Sequence, residues 1–362
     1  MEMVRTLRTN GSGSLLRIHT RAIRDNLTWI RNQSGGRPVI AVVKANAYGV
    51  GAVMVARFLR EEVEGFAVAT TDEGVELREA GIRKPILVMG PPRVTTAGDY
   101  ADHHLTASIS RPEQSKILPA GVAYQIVLDS GMRRYGVAPE QVSQIREILS
   151  ASSHLSYSGC YSHHAVADEP KNDAVYEQIG RFEEIIRQAS LDGPFHMSNS
   201  AAVLHEGALP HFDLLRVGLG LYGYAPGLPR PDALIPALEW QSILELVRPI
   251  NKGEPVSYGG TWRADRNGWL GTMPVGYADG LPRALSNKLQ VSIDGRRFAQ
   301  VGRVTMDATM VFLEEAPIRE GTPVTLFGGE GWSLYEWSEA AGSIPHESLT
   351  RLSDRVKRVY VC

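Results

Sequence analysis

Short apolar runs alternate with longer amphipathic stretches through the first two thirds of the chain. The runs fall at residues 39–43, 66–69, 86–89, 105–108, 124–128, 159–162, 195–198 and 214–217, and each is of strand length. Between them, residues 51–62, 71–79, 112–118, 139–149 and 173–189 carry apolar positions three and four apart with charges between, the spacing of helices that bury one face. Alternating strand and helix units favour a parallel sheet. Eight of them within about 200 residues predict a closed (β/α)8 barrel of the TIM type, with an open doubly wound sheet as the alternative.

The texture changes after Pro231. Runs shorten, Gly and Pro become frequent, and residues 289–293, 299–304, 309–313 and 323–327 read as strands of a mostly antiparallel β domain. Pro226, Pro229, Pro231 and Pro236 mark the connection. The expected organisation is an N-terminal segment, 1–14, packing with the C-terminal domain, a barrel over 15–235, and a β domain over 236–362.

Composition narrows the class. With 38 Lys+Arg against 40 Asp+Glu in 362 residues, the net charge is −2, so no overall basic character points to nucleic acid. At 43% hydrophobic and 22% charged the chain is ordinary globular material, and no apolar run approaches the roughly 20 residues of a membrane span. The first twenty residues lack the apolar core of a secretory signal. Cys160 and Cys362 are too few and too far apart for a disulfide framework or a zinc site, so no metal is expected and a reducing, cytoplasmic setting fits.

In a (β/α)8 barrel the reactive groups gather beyond the C-terminal ends of the strands. The first run continues as VIAVVKANAYGVG, which puts Lys44 at the edge of a buried segment. A desolvated ammonium is costly unless its pKa falls, and a lowered pKa is what a Schiff-base lysine requires. A lysine snorkelling from a strand end is the alternative. Later strand ends add Arg133 and Arg134 (LDSGMRRYGV), His163 (YSHHAVAD), and Asn199 with Ser200 (HMSNSAA). Ser200, ahead of AAVL, also reads as a helix N-cap. The segment 218–223 matches G-x-G-x-x-G. Its place at the end of the barrel argues against a dinucleotide site and for a phosphate, approached by the Ser200 hydroxyl and the backbone of Gly218 and Leu219.

Together with RVGLGLYG, VSYGGTW, MPVGYADGLPR, VGRVTMD and LSDRVKRVYV, these motifs resemble, in order and over nearly the whole chain, the alanine racemases, pyridoxal-phosphate (PLP) enzymes of fold type III. The resemblance implies that Lys44 holds PLP covalently, that Tyr48, Ser200, Gly218 and Leu219 hold its phosphate, that Arg216 faces its pyridine nitrogen, and that Asn199, His163 and Arg134 also bind the cofactor. It further implies two catalytic bases, Lys44 on one face of the substrate and Tyr258 on the other, with His163 hydrogen-bonded between Tyr258 and Arg216. Arg134 would orient both substrate and cofactor, with Met306, Asp307 and Tyr277 completing the substrate site. The second domain would serve the partner's site in a head-to-tail homodimer, and the product would be D-alanine for the cell wall. A serine or broad-specificity racemase, a related decarboxylase, and a non-catalytic PLP carrier are the alternatives.

Four positions depart from the family's habit. Val127 replaces a lysine often carbamylated, so Arg134 must be oriented by other means. Gly131-Met-Arg-Arg134 replaces Gly-Met-Gly-Arg and leaves open which arginine faces the substrate. Val217 replaces a proline, and Asp354 replaces a tyrosine that touches the phosphate, so Asp354 is expected to point away.

Overall fold

The computed structural model describes residues 13–169, 172–204, 209–225, 227, 230–314 and 316–362. Part of the expected N-terminal segment, residues 1–12, and two of the four connecting prolines, Pro226 and Pro229, lie outside the described residues. The chain forms two units, one of the described residues up to Arg21 with Pro236–Cys362, the other of Ala22–Ile235. Strand β1 (Ser14–His19) belongs to the first, so the chain reaches the barrel at Ala22 rather than at residue 15.

In the second unit the strands are β2 (Val39–Val42), β3 (Gly65–Val68), β4 (Ile86–Val88), β5 (Ala107–Ile109), β6 (Ala123–Val127), β7 (Ser156–Tyr161), β8 (Phe195–His196) and β9 (Leu215–Val217). They pair in parallel as β4-β3-β2-β9 and β5-β6-β7-β8. Parallel bridges Leu87–Thr106 and His196–Leu214 join the two sets, so the sheet closes on itself as the expected barrel. Strands β2 to β5 are buried at every position, which is why they read as continuous apolar runs. The helices between them are amphipathic; Ala174–Ala189, for example, buries Val175, Ile179, Phe182 and Ile185. One helix, Thr20–Gln33, was not evident in the apolar pattern. Its buried Asn26 donates to Leu221 O (3.0 Å) and Ile235 O (2.8 Å) and accepts from Ile235 N–H (2.8 Å), tying down the chain as it leaves the barrel.

The first unit is built on β1 with β10 (Leu238–Ile243), β11 (Leu246–Ile250), β12 (Pro255–Val256), β13 (Trp262–Arg263), β14 (Gly268–Met273), β15 (Gln290–Ile293), β16 (Arg296–Val301), β17 (Thr309–Phe312), β18 (Pro323–Phe327) and β19 (Lys357–Val361). Apart from the small β12–β13 ribbon they form one sheet, ordered β11-β14-β17-β16-β15-β18-β10-β1-β19. All its pairs are antiparallel except β1 with β19. Trp240, Phe327 and Trp337 pack edge to face over it, ring centres 5.4–5.9 Å apart. No helix among the described residues is long and apolar enough to cross a membrane.

Candidate active site

Because β2 to β9 run parallel, the groups that follow their C-terminal ends share one rim. Lys44 follows β2, the Asp129–Arg134 loop follows β6, His163 follows β7, Asn199 and Ser200 follow β8, and Gly218 follows β9.

The backbone after Lys44 is unusual. Ala45, Asn46, Ala47 and Tyr48 all take positive φ (51°, 52°, 52°, 58°), one turn of left-handed helix. Such a conformation costs an L-residue about 1–2 kcal/mol each, so the surroundings must hold it. Val43 O accepts from Ala47 N–H (2.8 Å), Ala45 O from Gly49 N–H (2.9 Å), and Asn46 O from Gly51 N–H (2.9 Å). The Asn46 side chain accepts from Ala52 N–H (2.8 Å), and Glu73 Oε1 accepts from Ala45 N–H (2.6 Å). Lys44 itself is half-buried. Burial lowers its pKa first, Arg134 and Arg216 add to that, and Glu73 opposes it. More of the lysine is therefore in the neutral, nucleophilic form at a given pH than of a free one.

Arg216, at the centre of β9, is 2% exposed. Burial pushes its pKa down to about 10, which leaves it a cation at neutral pH. Its Nη1 donates to His196 Nδ1 (2.7 Å) and His196 O (3.1 Å), and its Nη2 to Ser162 O (2.6 Å) and His163 Nδ1 (3.2 Å). The guanidinium lies 4.8 Å from the Tyr161 ring centre. Behind it, Gln125 Nε2 donates to Ser158 O (3.4 Å), which turns Gln125 Oε1 toward His196 Nε2–H (2.9 Å). That contact leaves the His196 Nδ1 lone pair for Arg216. Burial, then the cation, holds both His196 and His163 well below the usual histidine range, so both are neutral acceptors for the arginine. Among the described residues no protein acceptor meets the Arg216 Nε–H, which remains available to a ring nitrogen or similar acceptor.

A second cluster suits a phosphate. Ser200 Oγ accepts from Gly218 N–H and Gly220 N–H (3.1 Å each), so its own hydrogen is left to donate. The Gly218 N–H expected to meet an anion is thus engaged, and Leu219 N–H, first in the short turn Leu219–Tyr222, is the backbone donor that remains. A Cβ at Gly218 would stand 2.1 Å from the Tyr48 hydroxyl, so only glycine lets that hydroxyl approach. The local reading of Ser200 as an N-cap does not hold: Asn199 Oδ1 caps the turn by accepting from Ala202 N–H (2.9 Å), which frees Ser200 and commits Asn199 to structure.

The loop after β6 separates the two arginines. Buried Asp129 Oδ1 accepts from Gly131 N–H (2.9 Å) and Arg133 N–H (3.0 Å), and Arg133 sits at φ 56°. The Arg133 side chain leaves for Glu140 (3.0 Å), an exposed ion pair. Arg134 is the one whose charge acts on Lys44, His163 and Arg216. Val127 is buried at the end of β6, so the loop's shape comes from Asp129 rather than from any group at position 127.

The remaining candidates stand on the β unit. The VSYGGTW turn has positive φ at Ser257 and Gly259 and is tied by Ser257 Oγ donating to Arg303 O (2.6 Å). It presents Tyr258 with 71% of its surface exposed. Tyr277 N–H donates to Thr305 O and Ala278 N–H to Met306 O (3.0 Å each), bringing exposed Tyr277 and Met306 onto adjacent strips of chain. Asp307 is held by Arg355 (2.8 Å), which also reaches Asp279 (3.2 Å). Asp354 is exposed, with Arg358 the charge beside it.

The sequence reading missed Glu73, Gln125 and His196. Glu73 left the trace of a capping box, Thr70-x-x-Glu73, and His196 lay inside a quoted motif; nothing local pointed to Gln125.

Comparison with known proteins agrees over both units. Residues 18–226 match the family described as alanine racemase, N-terminal domain, and residues 237–360 match alanine racemase, C-terminal domain. The chain is 38% identical over 347 residues to an alanine racemase of a Nostoc species, covering 89% of each chain. It is 37% identical over 360 residues to one of Symbiobacterium thermophilum, covering 94% of each. Among solved structures, the alanine racemase of Bacillus anthracis with bound L-Ala-P superposes with a TM-score of 0.89 at 32% identity, covering 97% of this chain and 95% of that one. The alanine racemase of E. faecalis also gives 0.89 at 32%, covering 96% and 98%.

Proposed function

The chain belongs to the alanine racemase family of isomerases, and on that premise we propose that it interconverts L- and D-alanine with PLP, using Lys44 as the base on one face of the α-carbon and Tyr258 of the partner subunit as the base on the other. The observation that carries the reading is the buried Arg216, fixed between two neutral histidines with no acceptor among the described residues on its Nε–H, on the same rim as a lysine of lowered pKa. These residues fit PLP. Lys44 would anchor it, Arg216 would face the pyridine nitrogen, and Ser200, Tyr48 and Leu219 N–H would hold the phosphate.

Bound PLP supplies an electron-withdrawing ring that acidifies the α-proton of the attached amino acid. The protein sets how far that withdrawal goes. A guanidinium near pKa 10 keeps its proton in preference to a pyridine nitrogen, so Arg216 leaves that nitrogen unprotonated and limits the negative charge the ring takes up. A restrained sink favours quick return of the proton over side reactions. Neutral His163 accepts from Arg216 through Nδ1, so its proton is on Nε2 and can stabilise the phenolate of Tyr258 of the partner subunit. Arg134 would orient the substrate carboxylate, and the backbone of Met306 with Asp307 would close the site from the β unit. In this reading the segment 236–362 completes the neighbour's site, the homodimer is the working unit, and the enzyme acts in the cytoplasm on the path to the cell wall.

The decisive experiment incubates the chain with PLP and single enantiomers of several amino acids in deuterated water, following α-deuterium and chiral composition. Alanine is expected to invert fastest. Retention of optical purity by every amino acid overturns the reading, and faster inversion of serine replaces the substrate.

Two further outcomes are expected. Arg134→Gln removes a cation that disfavours the Lys44 ammonium, so the lysine pKa rises and the pH at which PLP attaches to the apoprotein shifts upward; the visible absorbance over a pH series measures it. Gly218→Ala forces the Tyr48 hydroxyl aside. An overpacking cost of about 1–3 kcal/mol lowers PLP affinity by about 5- to 150-fold, read by equilibrium titration.

A further inference from the structure

We propose that Glu73 is a positioning residue for Lys44: by pinning the left-handed turn that follows the lysine, its carboxylate holds the ε-amine where the cofactor must meet it. The inference rests on the reading of Lys44 as the PLP lysine.

Glu73 uses both oxygens. Oε2 accepts from Ala69 N–H (2.7 Å) and Thr70 N–H (3.2 Å) at the start of the helix Thr71–Glu79, while Oε1 accepts from Ala45 N–H (2.6 Å), on the turn after a different strand. The first two contacts are a capping box, completed by Glu73 N–H donating to Thr70 Oγ (3.3 Å). The third is not needed for a cap. The protein shows this at the helix Pro112–Lys116, where Gln114 occupies the same position. Its single Oε1 accepts from Ser110 N–H (2.7 Å) and Arg111 N–H (3.0 Å), the same pair of donors. A glutamine therefore suffices for capping, and only a carboxylate, with two acceptor oxygens, can also take the N–H of Ala45.

Ala45 is the first of the four residues with positive φ, immediately after Lys44. A charge-assisted hydrogen bond from its N–H offsets part of the cost of the left-handed conformation. Released from it, Ala45 relaxes toward negative φ and redirects the lysine. The carboxylate also favours the Lys44 ammonium, opposing the two arginines.

The test titrates the apoprotein with PLP at several pH values, following visible absorbance and thermal unfolding. Glu73→Gln is expected to keep the cap and an unfolding midpoint near that of the parent, to bind PLP about tenfold or more weakly, and to attach it at lower pH because the anion is gone. Adding Ala45→Gly, which takes positive φ without strain, should restore the affinity while the lowered pH midpoint remains. Parental affinity and pH midpoint in Glu73→Gln overturn the proposal, as does an affinity loss that Ala45→Gly leaves unrepaired. If Glu73→Gln does not fold, the double variant carries the test alone: parental affinity with a lowered midpoint supports the role, and weak binding overturns it. Lys44→Ala is the separate control, since visible absorbance surviving in that variant defeats the reading of Lys44 whatever Glu73 does.

Discussion

Lys44→Ala should lose the visible absorbance of lysine-bound PLP and lower alanine racemisation by about 10⁴-fold or more, because in the proposed mechanism it removes an anchor and a base at once. The fold should survive. The left-handed turn after Lys44 is held by Ala47 N–H and Gly49 N–H donating to Val43 O and Ala45 O, by Asn46 and by Glu73, none of which uses the lysine side chain. Removing a half-buried ammonium whose pKa is already depressed costs the native state little. Circular dichroism and thermal melting should therefore match the parent while activity vanishes. Turnover within tenfold of the parent would exclude Lys44 as the essential base.

Tyr258→Phe should have nearly as large an effect by a different route. The phenol is on an exposed turn of the β unit, and the change deletes one oxygen, so PLP binding and absorbance should be unchanged. Inversion should fall by about 10²–10⁴-fold, the usual contribution of a positioned general base. Proton exchange on the Lys44 face survives, so one enantiomer should still acquire α-deuterium from solvent without changing hand. Loss of cofactor, or equal loss of exchange in both enantiomers, would contradict the role. The two variants together test the shared site. When Lys44→Ala and Tyr258→Phe chains are mixed and allowed to exchange, the proposed shared-site homodimer predicts mixed dimers with one site in which both bases are intact. Activity should return to about a quarter of the parental level, since half the dimers are mixed and half their sites are complete. No recovery after demonstrated exchange would mean that lysine and tyrosine serve from the same chain.

The barrel was legible because parallel strands covered on both faces read as unbroken apolar runs, and all eight runs correspond to β2 to β9. Strand β1, SLLRIH, mixes apolar with basic residues, and its partners β10 and β19 lie more than 200 positions away, so nothing local announced it. Lys44 and His163 were legible for a chemical reason, because charged or titratable groups at the ends of buried strands are costly and stand out, whereas Arg216, in the middle of its strand, was picked out only by the family resemblance. Their supports were not. Gln125 reaches His196 across 71 residues, and Glu73 reaches Ala45 across 28, contacts that exist only once the strands are side by side.

The sequence by itself determined the strand and helix rhythm, the change of texture near Pro231, the rim on which reactive groups collect, and the family. Those are properties of local polarity and of motifs short enough to be continuous. Only the tertiary structure decided between neighbours of similar chemistry. Arg133, at φ 56°, turns to Glu140 while Arg134 acts on the lysine, and Asn199 caps a helix so that Ser200 is left to accept from Gly218 and Gly220 N–H. The physical reason is the same in each case. A side chain's role depends on which partner satisfies it, and a hydrogen bond is directional and short, so one ångström of backbone placement selects between residues that composition and spacing leave equivalent.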